Sequence, residues 1–242
     1  MVETRYGWFR PSDPANALIC RLWCCDFGSG VRGCLLPAIS DDTTVGRSYG
    51  GGMVYVEQTS GDAQVRPQRS DELAAVVAVV GEAFGRPVVV DLVTQLQARS
   101  AGRAGLSLVA DLEGDIVGHA QLSRCWVDAP DQLVEVLTLS PLSVLPRDQG
   151  RGLGGRLVRE ALQAARQARW PLVFLEGSPG YYSRFGFEAA HRRGFTSPSP
   201  RIPEAALQVA VLPDWEPWMT GGFVYADVFW ELDCVGLRTS GG

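Results

Sequence analysis

Seven residues from Gln149 to Gly155, Gln-Gly-Arg-Gly-Leu-Gly-Gly, carry the clearest chemical signal in the chain. They follow an apolar run of strand character ending in Leu142-Ser143-Val144-Leu145, and they open an amphipathic stretch that keeps helical spacing to about Ala168. A strand that turns through glycines into a helix aims several backbone N–H groups at one point beside the positive end of the helix dipole. Such a point binds an anion, and a pyrophosphate suits it. One common phosphate loop is excluded by its ending: no Gly-Lys-Ser/Thr follows the glycines. Arg147, Arg151, Arg156 and Arg159 cluster around the glycines and could pair with further phosphates.

The run Gln149-Gly150-Arg151-Gly152-Leu153-Gly154, followed by Gly155-Arg156-Leu157-Val158, resembles the Gln/Arg-x-x-Gly-x-Gly/Ala signature of the GNAT superfamily of acyl-CoA-dependent N-acyltransferases. Further on, Gly177-Ser178-Pro179-Gly180-Tyr181-Tyr182-Ser183-Arg184-Phe185-Gly186-Phe187 resembles that superfamily's Tyr-x-x-x-Gly-Phe element in its YhbS-like bacterial branch. The resemblance is close over residues 63–190, loose over 191–238 and absent from the first 60. It implies an α/β fold with a mixed, mostly antiparallel twisted sheet, a splayed central parallel strand pair and helices on both faces. It also implies acetyl transfer from acetyl-CoA to a primary amine, on a small molecule or a peptide, by direct attack in a ternary complex. The site residues follow by the same resemblance. The N–H of Leu142 would polarise the thioester carbonyl, the backbone from Ser143 to Val144 would hold the pantetheine arm, and Gln149, Gly150, Arg151, Gly152, Leu153, Gly154 and Gly155 would hold the pyrophosphate. Tyr182 occupies the general-acid position, where a phenol of pKa near 10 suits a thiolate leaving group of similar basicity.

The general base departs from the pattern. Many relatives carry a glutamate on the bulged strand four residues before the carbonyl-polarising amide, and Thr138 stands there in this chain. Threonine cannot act as a base. Glu135 faces the opposite way by strand alternation. Glu176, at the carboxyl end of the next strand, and His119 remain, as does a water relay to an amine made less basic by desolvation. The missing glutamate also keeps open a second class of function, a non-catalytic acyl-CoA-binding or sensor module on the same fold.

The elements that must position these residues read as follows. A short strand lies near Ala63 to Arg66. Ser70 caps a helix with Asp71 and Glu72 in its first turn and an apolar stripe of Leu73, Val76, Val77, Val80 and Phe84. A second helix runs from Val88 to Ala98. Strands over Leu106–Asp111 and Ile116–Trp126 are joined by the turn Glu113-Gly114-Asp115. The strand Leu133–Leu145 contains Pro141, which has no N–H for a ladder, so the strand must bulge or lose its neighbour there. After the glycine loop, Leu153, Leu157, Val158, Ala161, Leu162 and Ala165 share one helix face. Leu172–Glu176 reads as a buried parallel strand, and Ala206–Val211 and Phe223–Leu232 as the last strands. Acceptor recognition falls to the second helix, to the proline-rich loop with His191, Arg192 and Arg193, and to Trp215 and Trp218, which read as pocket-wall aromatics. Phe223, Tyr225, Phe229 and Trp230 read mostly as core.

Composition narrows the function classes. Apolar residues make up 46% of the 242, enough for one sizeable core. No apolar stretch reaches the length of a membrane span, and no secretory leader is legible, so the expected location is the cytoplasm. All 22 basic residues are arginine, and the net charge of -5 argues against general affinity for nucleic acid, including charged tRNA. Cys20, Cys24, Cys25 and Cys34 match no zinc spacing, and neither Cys125 nor Cys234 has a histidine in motif range for a covalent route. No metal is expected, and the protein reads as a monomer or homodimer. Residues 1–62 have no sustained period, and Gly50-Gly51-Gly52 before Met53 matches a purine-rich ribosome-binding site at the codon level. Translation from Met53 and a real extension that packs on the 63–238 domain or binds a partner are both open.

Overall fold

The computed structural model describes residues 63–99 and 106–236, and the two alternatives for residues 1–62 lie outside the described residues. Strand β1 (Gln64–Pro67) is followed by helices α1 (Leu73–Phe84) and α2 (Pro87–Arg99). Strands β2 (Ser107–Leu112), β3 (Asp115–Asp128) and β4 (Leu133–Val144) form an antiparallel meander. Helix α3 (Leu153–Gln167) then crosses to β5 (Leu172–Glu176), which runs parallel to β4 as a βαβ unit requires. A four-residue helix α4 (Pro179–Tyr182), the two-residue strand β6 (Glu188–Ala189), β7 (Leu207–Val211), β8 (Gly222–Val224) and helix α5 (Asp227–Glu231) complete the described chain. The sheet order is β1-β2-β3-β4-β5-β7-β6, with β8 pairing the far half of β3. No described helix is long and apolar enough to cross a membrane.

Side-chain alternation sorts the sheet into two faces. On one, Val109 packs under Val76, Val80, Val89 and Val93 of α1 and α2, and Cys125, Val136, Phe174 and Val209 continue that layer toward α5. On the other, Ala110, Ala120, Leu122 and Leu137 meet the α3 stripe of Leu153, Leu157, Val158, Ala161, Leu162 and Ala165, all of them buried. Truncating Leu157, which is fully covered, to alanine removes about 2–5 kcal/mol.

Two local expectations are corrected. Ser70 does not cap α1. The helix begins after Glu72, whose carboxylate takes Arg66 at 2.6 Å and the backbone N–H of Arg69 at 2.7 Å, and the same guanidinium reaches Asp111 of β2 at 2.7 Å. Hydrogen bonding to Arg66 holds the Glu72 carboxyl down at about 2, so the helix start is pinned to the sheet by charge. The run Phe223–Leu232 is not one strand. It pairs only to Val224 and then forms α5, because Asp227 turns its carboxylate back onto the Val228 N–H at 2.8 Å. Asp227 and Glu231, one helical turn apart, also share Arg99 of α2 at 2.8 and 2.5 Å.

Candidate active site

The glycine loop has the geometry expected of an anion site. After β4 a short turn, Pro146–Asp148, leads to Gly150 and Gly152, both left-handed at φ +75° and +79°. A Cβ on either would meet nothing within 4 Å, so the outer surface of the loop is open. Gly152 is the cap residue of α3 and supplies no side chain to its first-turn amides. Gln149 donates through Nε2 to the Val144 carbonyl at 2.9 Å and ties the loop to the strand end. Asp148, itself buried, accepts Arg151 at 2.7 Å and lies 3.5 Å from Arg147, which places both guanidinium groups along the loop. Arg156 and Arg159 follow on α3, Arg159 over the Phe185 ring.

The bulge and the splay read from Pro141 are both present. Register shifts from Leu122 opposite Leu139 to Ala120 opposite Leu142, leaving Ser140 and Pro141 as the inserted step. The parallel pairing of β4 with β5 consists of Leu137 opposite Val173 and Thr138 opposite Phe174, and from Leu139 onward no strand among the described residues lies along that edge of β4. The N–H of Leu145 bonds to Val117, so by antiparallel alternation Ser143 also bonds to β3 while Leu142 and Val144 point their backbone groups away, into the gap.

A cleft of about 180 Å³ opens where the strands part, on the α1 and α2 side. Leu139 to Leu142 form its floor, Tyr182 and Glu176 its inner wall, Phe84, Arg86, Val88, Val89 and Leu92 the corner between α1 and α2, and Asp233, Cys234 and Gly236 its C-terminal rim. Tyr182 ends α4 with its ring buried against Phe187 and directly over Gly177, where any Cβ would overlap it. The loop residues and the two side chains expected to do chemistry thus meet around one bulged strand.

Glu176 is 3% exposed, and its Oε1 accepts the hydroxyl of Tyr225 at 2.7 Å. The backbone N–H of Gly236 also donates to it. Burial, only partly offset by these donors, raises its carboxyl from the usual range to about 7. Tyr225 is held well above an ordinary phenol by burial and by that carboxylate, so it stays a donor, and its ring is fixed between Phe223 and Phe229 at 4.7 and 4.8 Å. Thr138 lies beneath, buried, with its hydroxyl on the Phe174 carbonyl at 3.3 Å.

The other candidate bases stand elsewhere. His119 is fully buried 3.0 Å from the Ser107 hydroxyl, outside the cleft, and burial drops it to about 3, which makes it a neutral structural residue. Glu135 is exposed on the opposite face and pairs with Arg124 at 2.9 Å. Burial pushes the thiols of Cys125 and Cys234 up to about 12 and about 11, away from nucleophilic character.

The expected acceptor walls are corrected. Trp215 and Trp218 do not line the cleft. Their indole N–H groups bond to the Met219 carbonyl and to Glu216, and the rings pack against the core under β5 and β7. His191 belongs to a separate depression with Phe195, Pro200 and Glu204. Trp230 is 41% exposed and is not core. The sequence reading missed Tyr225 as a partner of Glu176 and missed the whole rim at residues 233–236. Asp233 has φ +50° and Gly236 φ +62°, and only the glycine gave a local signal of the turn.

Comparison with known proteins agrees with this fold. A family model described as an acetyltransferase (GNAT) domain matches residues 64–190. The chain is 39% identical over 123 residues to the uncharacterised N-acetyltransferase YjhQ of Escherichia coli, spanning 50% of this chain and 67% of that protein. It is 35% identical over 117 residues to the uncharacterised N-acetyltransferase YhbS of the same species, spanning 48% and 68%. Among solved structures, E. coli YhbS in complex with CoA superposes with a TM-score of 0.61 at 29% identity, covering 69% of this chain and 91% of that one. A GNAT family acetyltransferase from Brucella melitensis in complex with acetyl-CoA superposes at 0.56 and 29% identity, covering 70% and 99%.

Proposed function

Because the chain belongs to the GNAT acetyltransferase family, we propose that it moves the acetyl group of acetyl-CoA to a primary amine bound in the Glu176 cleft, by direct attack in a ternary complex. The observation that carries this reading is a buried carboxylate with a pKa of about 7 in the same cleft as Tyr182 and the bulged strand. The solved relatives hold CoA and acetyl-CoA, and the open loop at Gly150 and Gly152 gives this chain the surface to do the same.

In the proposed reaction the first-turn amides of α3 and the loop amides from Gln149 to Gly155 take the pyrophosphate. The backbone from Leu142 to Val144 lies along the pantetheine arm, and the Leu142 N–H donates to the thioester oxygen as charge develops there. Glu176 removes a proton from the acceptor ammonium, the free amine attacks the carbonyl carbon, and the tetrahedral intermediate collapses with loss of the CoA thiolate. Tyr182 protonates that sulfur, and the second proton shed by the acylated nitrogen returns to the tyrosinate through solvent. A base near 7 works at neutral pH, half ionised and still basic enough to take the proton. The raised thiol of Cys234 at the rim supports direct attack over an acetyl-cysteine route.

The acetyltransferase domain in this reading is residues 63–238, since Tyr225 and the rim lie beyond the matched segment yet complete the base. We assign the reaction to the cytoplasm, where a CoA thioester donor is found. The sensor alternative keeps one argument, Thr138 in place of a glutamate, which Glu176 answers from the next strand. CoA release from acetyl-CoA with a panel of amines separates the two. Wild type is expected to turn over at least one amine, and Glu176→Gln to lose that rate while still being stabilised by acetyl-CoA. Full activity in Glu176→Gln overturns the assignment of the base.

A further inference from the structure

The charges of the cleft describe its acceptor, an inference that rests on reading the cleft as the acceptor site. Three ionisable side chains of fixed charge preference line it: Glu176, Asp233 and Arg86. Glu176 is held from behind by Tyr225 and serves as the proton acceptor. Asp233 is engaged, with Arg201 on its Oδ1 at 2.8 Å. Arg86 is different. Its guanidinium pairs with no carboxylate among the described residues, and its charge reaches the Cys234 thiol on the opposite rim and lowers that thiol against the effect of burial. It occupies the two-residue corner between left-handed Gly85 and Pro87, and its carbonyl accepts the Val89 N–H at 3.1 Å, so the backbone under it is fixed. Arg86 is itself an exposed residue at the mouth, and much of the remaining lining is apolar: Phe84, Val88, Leu92 and Leu139.

We propose that the acceptor is an apolar α-amino acid or a molecule of that size and chemistry, with its amine at Glu176, its side chain on the apolar wall and its carboxylate on Arg86. The cleft volume of about 180 Å³ is enough for one such molecule. A polyamine or an aminoglycoside is disfavoured on charge. Each brings a second cation, which would find Asp233 already taken by Arg201 and Arg86 at the mouth.

The test compares four acceptors on the full chain by CoA release: L-phenylalanine, L-phenylalaninamide, phenethylamine and spermidine. The amide is the decisive control, because its amine loses a proton more readily than that of phenylalanine, so basicity alone would make it the better acceptor. Wild type is expected to show kcat/KM for phenylalanine about tenfold or more above the amide and phenethylamine, carried mainly by KM, as a charge-assisted hydrogen bond implies. Arg86→Gln should bring the ratio of phenylalanine to phenylalaninamide down to one or below, as basicity alone dictates. Equal use of phenylalanine and its amide by wild type, preference for spermidine, or an Arg86→Gln enzyme that keeps the ratio while losing rate on both, each overturns the proposal while leaving acetyl transfer in place. Failure to acetylate any amine, despite stabilisation by acetyl-CoA, overturns the reading of the cleft itself and this inference with it.

Discussion

Removing the Tyr225 hydroxyl should move the pH at which the enzyme switches on. Tyr225 donates at 2.7 Å to Glu176 inside a site where both side chains are 3% exposed, so the bond favours the ionised carboxylate over the neutral acid. Burial alone would lift Glu176 further than about 7, and this donor and the Gly236 N–H hold it back. A buried hydrogen bond to a charged group contributes about 1.5–3 kcal/mol. At about 1.4 kcal/mol per tenfold step, its loss in Tyr225→Phe raises the Glu176 pKa by about one to two pH units. The ring stays between Phe223 and Phe229, so packing is little disturbed. The measurement is kcat/KM for CoA release across pH, in which the base must be ionised and the acidic limb reports its pKa in the free enzyme. That limb should lie near 7 in wild type and move upward in the variant. The acceptor's own ammonium also titrates, and it is told apart by repeating the profile with amines of different basicity: a limb that follows the amine belongs to the amine. A Glu176 limb that stays in place in Tyr225→Phe refutes the reasoning.

Three further outcomes follow from the same geometry. Glu176→Gln, a mimic of the neutral acid, should be more stable than wild type at pH 8 by up to about 3 kcal/mol, because the carboxyl of the wild type has a pKa of about 7 folded against 4.5 unfolded. The raised folded value means the wild type loses stability as pH rises from 4.5 to about 7, so the two proteins should converge below 4.5; denaturant midpoints at several pH values check this. Gly152→Asp sets a negative charge on the open face of the loop at φ +79°, a backbone that aspartate tolerates better than most residues. It should keep the apo melting temperature within a few degrees and lose the stabilisation by acetyl-CoA, about 2.7 kcal/mol at a hundredfold excess over Kd. Tyr182→Phe should lower kcat roughly 10²-fold with little change in acetyl-CoA affinity, since protonation of sulfur is needed only as charge develops there. A kcat within about threefold of wild type removes Tyr182 from the chemistry.

What was legible in the sequence was local. The glycine loop, the α3 stripe and the strand break at Pro141 each depend on residues within a few positions of one another, and backbone chemistry alone specifies them. The partners of Glu176 do not. Tyr225 is 49 residues away, and it arrives there because β8 pairs with β3 and Phe223, at its centre, stacks on Phe174 of β5 at 4.3 Å. The start of α1 shows the same limit from the other side. Ser70 is a good cap by type, but Arg66 and Asp111 are brought together by the pairing of β1 with β2, and their ion pair with Glu72 outweighs a cap that each residue could form alone. In Phe223–Leu232 the helical spacing of Tyr225, Val228, Phe229 and Leu232 was masked by the strand-like run Phe223-Val224-Tyr225 ahead of it, and Asp227 and Glu231 are held by Arg99 on another element. The tryptophans failed for a simpler reason: proline neighbours mark a loop, and nothing in a loop's composition says which wall it covers.

The position of the proposed base also becomes intelligible from the sheet. Thr138 stands opposite Phe174 in the parallel pair, and Glu176 lies two residues further along β5 on the same face, about 7 Å on. Of the two, Glu176 lines the cleft above the bulge and Thr138 is buried beneath it. Because β4 and β5 part after this pair, a side chain from either strand can enter that space without crossing a neighbour. A second carboxylate at 138 would face Glu176 across a buried gap, and two like charges there would force one to stay protonated. The threonine avoids that conflict. Its hydroxyl bonds to the Phe174 carbonyl and to Tyr225, and Tyr225 in turn sets Glu176. Its place on β5 ties Glu176 to the chain beyond residue 190, through Tyr225 and Gly236, and so to the same rim that lines the cleft.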